Sequence, residues 1–129
     1  MSEAPYSPLV IEHFAQPRNV GRFAPAADVI AASAGNPEQG VRFDLSARVR
    51  DERIVAVRYE VYGCPHCIAA GSLLSERLQG ATREQLRQWS WRETAEQLEF
   101  PPEKRGRLLV LEDAVHALAE EWQRRRPGS

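Results

Sequence analysis

The chain has 129 residues, 43% of them hydrophobic and 27% charged, with a formal net charge of −1. That composition belongs to a folded domain with its own core; it excludes the basic field of a nucleic-acid-binding protein, and no apolar run approaches the roughly 18 residues of a membrane span. The opening MSEAPYSPLV has no basic region followed by an apolar stretch, so no secretory signal is expected, and a close cysteine pair without export points to a reducing compartment, the cytoplasm by default.

In chain order, the first predicted element is a short helix over residues 7–15. Ser7 can cap it, Pro8 suits its first position, and Leu9, Val10 and Phe14 supply an apolar face. Pro17 ends it, and NVGRFAPAAD follows as a loop. A weaker strand is expected at residues 29–34. Residues 41–50 alternate cleanly, with Val41, Phe43, Leu45, Ala47 and Val49 facing one way and Arg42, Asp44, Ser46, Arg48 and Arg50 the other. Asp51 and Glu52 fall at a turn. A further strand covers residues 54–62, with Val55, Val57, Tyr59 and Val61 expected on one face. After Gly63 the period becomes helical through Cys67, Ala70, Leu74 and Leu78, with Gly80 at the C-terminal cap. Thr82 caps a helix near residues 83–88, SWRETAEQLEF forms another short helical piece, and Pro101-Pro102 interrupts. Leu108, Leu111, Val115, Leu118 and Trp122 then repeat at three and four residues in a last helix reaching about Arg125, where Pro127-Gly128 stop it. The expectation is one α+β domain over residues 1–129, its core within about 6–122: a small antiparallel three-stranded sheet with helices packed on one face. Trp89, Trp91 and Trp122 read as packing residues, and Arg124-Arg125-Arg126 as a solvated helix end.

The chemistry concentrates in YGCPHC, residues 62–67, which holds both cysteines. Cys64 falls where a strand ends and a helix begins, so free N–H groups and the positive end of the helix dipole favour a thiolate there. Cys67 is either a small core residue or a second functional thiol. A structural zinc site wants four nitrogen or sulfur ligands; Cys64 and Cys67 supply two, His66 is a candidate third, and His13 and His116 lie on helices elsewhere. A redox dithiol is the other local reading, because a strand, a Cys-x-x-C turn and a helix make a thioredoxin-like setting, although the βαβ unit that should precede it is missing.

Three blocks carry a wider likeness: YSPLVIEHFAQPRNVGRF, then VYGCPHCIAAGSLLSERLQG, then LEFPPEKRGRLLVLEDAVHALAEEW. In order and spacing they resemble the iron–sulfur cluster scaffold family, IscU and the N-terminal domain of NifU, over roughly residues 6–122. The resemblance implies that family's fold, a scaffold or carrier rather than an enzyme, and iron or an iron–sulfur cluster as cargo. It implies a cysteine desulfurase as partner, and an Hsp70-type chaperone reading the segment with Pro101, Pro102 and Lys104.

The family places three cysteines, and an aspartate two residues after the first, around one end of the molecule. In this chain Gln39 stands at the first cysteine, Val41 at the aspartate and Arg107 at the third cysteine; Cys64 keeps the second, and Cys67 is an added thiol. Gln39 is a poor iron ligand, and Val41 cannot ligate. A guanidinium within about 4 to 6 Å of a metal ion is repelled by several kcal/mol at an effective dielectric of about 20, and Arg107 would instead favour a thiolate at Cys64. Asp44, an acidic residue just after the altered loop, lies on a polar strand face and is a weak ligand candidate. Three readings follow from the resemblance and the residues together. The first is a divergent assembly scaffold with Cys64 as sulfur acceptor or partial iron ligand, where a homodimer would pool four thiolates. The second is a thiol–disulfide or sulfur-relay protein using Cys64 and Cys67. The third is a non-catalytic binding module of the assembly machinery.

Overall fold

Alternation along the central strand organises the molecule. In the computed structural model, which describes residues 6–125, Val41, Phe43, Leu45 and Ala47 are all buried on one face of β2 (Val41–Arg50). Strand β1 (Val29–Asn36) pairs antiparallel along one edge of β2, and β3 (Arg53–Tyr62) along the other, in sheet order β1-β2-β3. This is the expected three-stranded α+β sheet, with β1 running two residues longer than the expectation.

A two-residue hairpin joins β2 to β3, with Asp51 and Glu52 both at positive φ, 53° and 65°, the twist that suits such a turn. Next to it the register shifts: Arg48 pairs with Ala56 but Val49 with Ile54. Val55 is the extra residue of this bulge and turns outward, 41% exposed, while Ile54 takes the inner position. The expectation that Val55 joins Val57 and Tyr59 on one face therefore fails at the bulge.

Among the described residues five helices follow the expected order: α1 (Pro8–Ala15), α2 (Pro65–Arg77), α3 (Arg83–Arg87), α4 (Trp91–Gln97) and α5 (Arg105–Arg125). Ser7 caps α1, accepting from the Val10 N–H, and Thr82 closes a reciprocal capping box with Gln85 on α3. The buried face of α1 is Val10 with His13; Phe14 is 45% exposed, contrary to expectation. His13 takes the inward place because its Nδ1 lies 2.7 Å from the Ser72 hydroxyl on α2, which satisfies a ring nitrogen in the interior. Helix α5 packs on β1 and β2, and α2 packs on β3 and α1. Leu108, Leu111, Val115, Leu118 and Trp122 are all buried along α5, while Trp89 and Trp91 pack against the core half-buried. Arg125 anchors the end of α5 by donating to the carbonyls of Val29 and Ala26. The proposed stop at Pro127-Gly128, and Arg126, lie outside the described residues.

The other sheet face is covered by the loop after α1. Phe23 N–H donates to Ser46 Oγ at 3.0 Å, and the Phe23 ring lies under the guanidinium groups of Arg48 and Arg58. Backbone at Asn19 and Gly21 hydrogen-bonds to Tyr59, closing the free edge of β3.

Helix α2 seats on the sheet through one close approach. A Cβ on Gly71 would lie 2.6 Å from the ring of Tyr59, which is itself buried. We expect Gly71→Ala to destabilise the protein: overpacking costs about 1–3 kcal/mol and outweighs the roughly 1 kcal/mol of helix propensity gained. Urea unfolding monitored by circular dichroism checks this, and a midpoint at or above that of the unaltered chain contradicts it.

Candidate functional site

At the end of β3 the chain must turn sharply into α2, and Gly63 makes that possible. A Cβ there would lie 2.8 Å from Cys67 Cβ and 3.0 Å from Cys67 Sγ. The space a side chain at position 63 would use is taken by the second cysteine. Cys64 then occupies the N-cap of α2, with Pro65 in the first helical position, and its carbonyl accepts from the N–H groups of Cys67 and Ile68. Cys67 sits one turn in and is fully buried, Cys64 is half-buried, and the two Sγ atoms are 3.9 Å apart with both thiols free.

The two sulfurs have opposite electrostatics. Partial burial acts to raise the Cys64 pKa, but the backbone N–H groups of Cys67 and His66, the charge of Lys104 and the neighbouring Cys67 thiol together hold it below the ordinary thiol value. No short hydrogen bond from the first turn closes on the Cys64 side chain, so those N–H groups act on the sulfur as dipoles at longer range. Burial first, and the Cys64 charge second, push the Cys67 thiol up to about 12. Cys64 is therefore the more readily ionised sulfur of the pair.

Lys104 is the cation in contact with the site. Its Nζ lies 4.0 Å from Cys64 Sγ, 3.4 Å from His66 Nδ1 and 5.9 Å from the centre of the Tyr6 ring. His66 is buried between Tyr6 and Phe100, with ring centroids 4.8 and 5.0 Å away. Burial, then the charges of Lys104 and Arg107, lower its pKa, so it stays neutral and accepts from Lys104 through Nδ1. That ring nitrogen faces an ammonium rather than the two thiols. Among the described residues no three His, Cys, Asp or Glu side chains converge into a metal-ligating group. Asp44 is occupied by Arg42 and the Ser33 hydroxyl.

Gln39, Val41 and Arg107, the positions that the resemblance assigns to family ligands, lie toward this same end. The pairing of Arg42 with Tyr62 brings Val41 opposite Gly63, and the Gly40 carbonyl oxygen lies 3.8 Å from where a Gly63 Cβ would stand. Gln39 closes an exposed 3-10 turn, Pro37–Gln39, just before it, and Val41 is buried. The far end of β1 meets α5, since a Cβ on Gly35 would lie 2.8 Å from Val110 Cγ1. Arg107, one turn before Val110, is half-buried, and its charge acts on Cys67 and His66. Arg107, expected to favour a Cys64 thiolate, acts on Cys67 and His66 instead; the cation acting on Cys64 is Lys104. Pro101 and Pro102 lead into a 3-10 turn, Pro102–Lys104, that runs directly into α5 and carries Lys104 to the sulfur. The signal that could have revealed Lys104 is its place three residues before Arg107, one turn away on the same side of a helical stretch.

The family profile described as the NifU-like N-terminal domain matches residues 5–128. The iron–sulfur cluster assembly scaffold protein IscU of Escherichia coli K12 is 33% identical over 123 residues, 94% of this chain and 96% of that one. Two solved structures share the fold. The N-terminal NifU-like protein of Brucella abortus superposes with a TM-score of 0.71 at 17% identity, over 93% of this chain and 95% of that one. A candidate cluster assembly scaffold for the SUF system from Fervidobacterium islandicum AW-1 gives 0.69 at 16% identity, over 88% and 96%.

Alkylation by iodoacetamide tests the electrostatics. Cys64 should react with a pH midpoint below that of a free cysteine, Lys104→Met should raise that midpoint, and Cys67 should react only after unfolding. Equal midpoints for the two proteins would remove Lys104 from the account.

Proposed function

The chain belongs to the family of the NifU-like N-terminal domain, and on that premise we propose that it serves iron–sulfur cluster assembly as a divergent scaffold whose working group is a sulfur acceptor, Cys64. The observation that carries this is the placing of Cys64 between the start of α2 and the Lys104 ammonium, 4.0 Å from its sulfur. Both favour a reactive anion at that atom.

In the proposed step the Cys64 thiolate attacks the outer sulfur of a donor persulfide, R–S–SH. The donor S–S bond breaks, a new bond joins Cys64 Sγ to the transferred sulfur, and the donor leaves as the thiolate R–S⁻. The sulfane sulfur changes hands with no net oxidation or reduction. A cysteine desulfurase is the partner whose chemistry provides such a persulfide. Lys104 stabilises first the attacking thiolate and then the persulfide anion. A reducing compartment such as the cytoplasm would keep both thiols ready.

An iron–sulfur cluster would be cargo, and the donor set decides how much of it one chain can hold. The 3.9 Å between Cys64 Sγ and Cys67 Sγ is close to the roughly 3.8 Å that two thiolates span in tetrahedral ligation at about 2.3 Å, so the pair suits one iron or zinc ion. A [2Fe–2S] cluster wants four donors, mostly thiolates. Gln39, Val41 and Arg107 offer no anionic donor, and His66 turns Nδ1 to Lys104. We therefore propose that any complete cluster bridges two copies of the chain, each giving Cys64 and Cys67. A chaperone of Hsp70 type gripping Pro101, Pro102 and Lys104 would draw the ammonium away from the sulfur and so change its reactivity.

Sulfur transfer from radiolabelled cysteine through a cysteine desulfurase tests the acceptor role. With Cys67→Ser the chain should take up label, Cys64→Ser should abolish uptake, and Lys104→Met should slow it several-fold. Uptake undiminished by Cys64→Ser would overturn the proposal.

A further inference from the structure

We infer that Cys67 is a resolving thiol: once Cys64 carries an extra sulfur, Cys67 displaces it as hydrosulfide, and the two cysteines close to a disulfide. This rests on Cys64 being the sulfur acceptor and adds a reductive step that the chain performs with its own electrons.

The geometry for it is specific. The two sulfurs are already in contact at 3.9 Å across one turn of α2. A disulfide needs about 2.05 Å, an approach that side-chain rotation at a helix N-cap supplies. Cys67 is fully buried, so it is shielded from outside thiols and oxidants and is reached through Cys64. The missing Cβ at Gly63 leaves the room that Cys67 Sγ occupies beside the turn. Lys104 Nζ stands next to Cys64 Sγ, where the extra sulfur would leave as an anion. A cysteine serving only as core filler has no need to touch the one other sulfhydryl in the sequence, and this one does.

The step balances without another reactant. Cys64–S–S⁻ and Cys67–SH give Cys64–S–S–Cys67 and HS⁻. A bond forms between Cys67 Sγ and Cys64 Sγ, and the bond from Cys64 Sγ to the outer sulfur breaks. The Cys67 proton goes to the departing sulfur. The two cysteine sulfurs lose two electrons together, and the sulfane sulfur gains them to become sulfide, the oxidation state an iron–sulfur cluster requires. A second round needs an external dithiol to reopen the disulfide.

The test is a single turnover with glutathione persulfide as donor, under argon, followed by rapid desalting. Intact-mass spectrometry and a colorimetric sulfide assay then read the outcome. The unaltered chain should release one sulfide per disulfide formed and end lighter by two hydrogens, and dithiothreitol should restore its capacity. Cys67→Ser, and Cys67→Ala as a second small replacement, should instead keep the mass of one added sulfur on Cys64 and release no sulfide. If the unaltered chain holds the sulfur on Cys64 as stably as the variants do, the resolving role is overturned while the acceptor role stands. If no chain gains sulfur at Cys64, both fall. If the Cys67 variants carry the mass of glutathione in place of one added sulfur, Cys64 has attacked the inner sulfur with loss of hydrosulfide, the disulfide closes by displacing glutathione, and the inference is overturned.

Discussion

The position without a side chain, Gly63, sets the site. Cys67 fills the volume a Cβ would need there, so the strand can pass into the helix with one sulfur tucked beneath the turn and the other at the helix cap. The sulfur–sulfur contact, the exposure of Cys64 and the burial of Cys67 all follow from that packing. So does the neighbourhood: β2 is locked to β3 in a register that brings Val41 and Gly40 beside the turn, and the chain between Pro102 and Arg107 closes over it with two cations. The bulge at Val55 and the seat of Gly71 on Tyr59 lie further back, and the second lets α2 pack closely on β3.

The charges at this end favour the sulfur chemistry proposed for Cys64. A cluster cage is an assembly of anionic donors around a cationic metal. Here one such position is buried and apolar, one is a neutral amide and one is a guanidinium, while an ammonium rests against the remaining thiol. Positive charge and helix N–H groups in a half-dry corner stabilise thiolate, persulfide and hydrosulfide, and the same charge weakens the hold of a single sulfur pair on a cation. A dimeric cluster remains compatible with it, because pairing two chains would double the thiolates.

Much of the fold is legible in the sequence because its signals are local. Alternation over residues 41–50 gives the inner face of β2, and Ser7 and Thr82 mark helix starts through caps that depend on three or four residues. The exceptions have non-local causes. Val55 faces out because the hairpin shifts register, which no pattern within β3 reveals. Phe14 yields the inner face of α1 to His13 because a hydroxyl on α2 meets the imidazole. In the site, both cysteines and the altered positions can be read from spacing and family likeness. Lys104 reads as part of a docking segment, and its contact with Cys64 depends on how a 3-10 turn packs over Tyr6 and His66, forty residues along the chain from the sulfur. Arg107 is thus the expected cation beside Cys64, whereas in the structure that cation is Lys104, acting together with the first-turn N–H groups.

The central claim is that one chain works through a sulfur pair rather than through a caged metal centre. Iron and acid-labile sulfide analysis of the monomer, purified without oxygen, addresses it most directly. The account predicts monomer with iron and labile sulfide far below a complete [2Fe–2S] centre per chain. A monomer carrying the full two irons and two sulfides would contradict it.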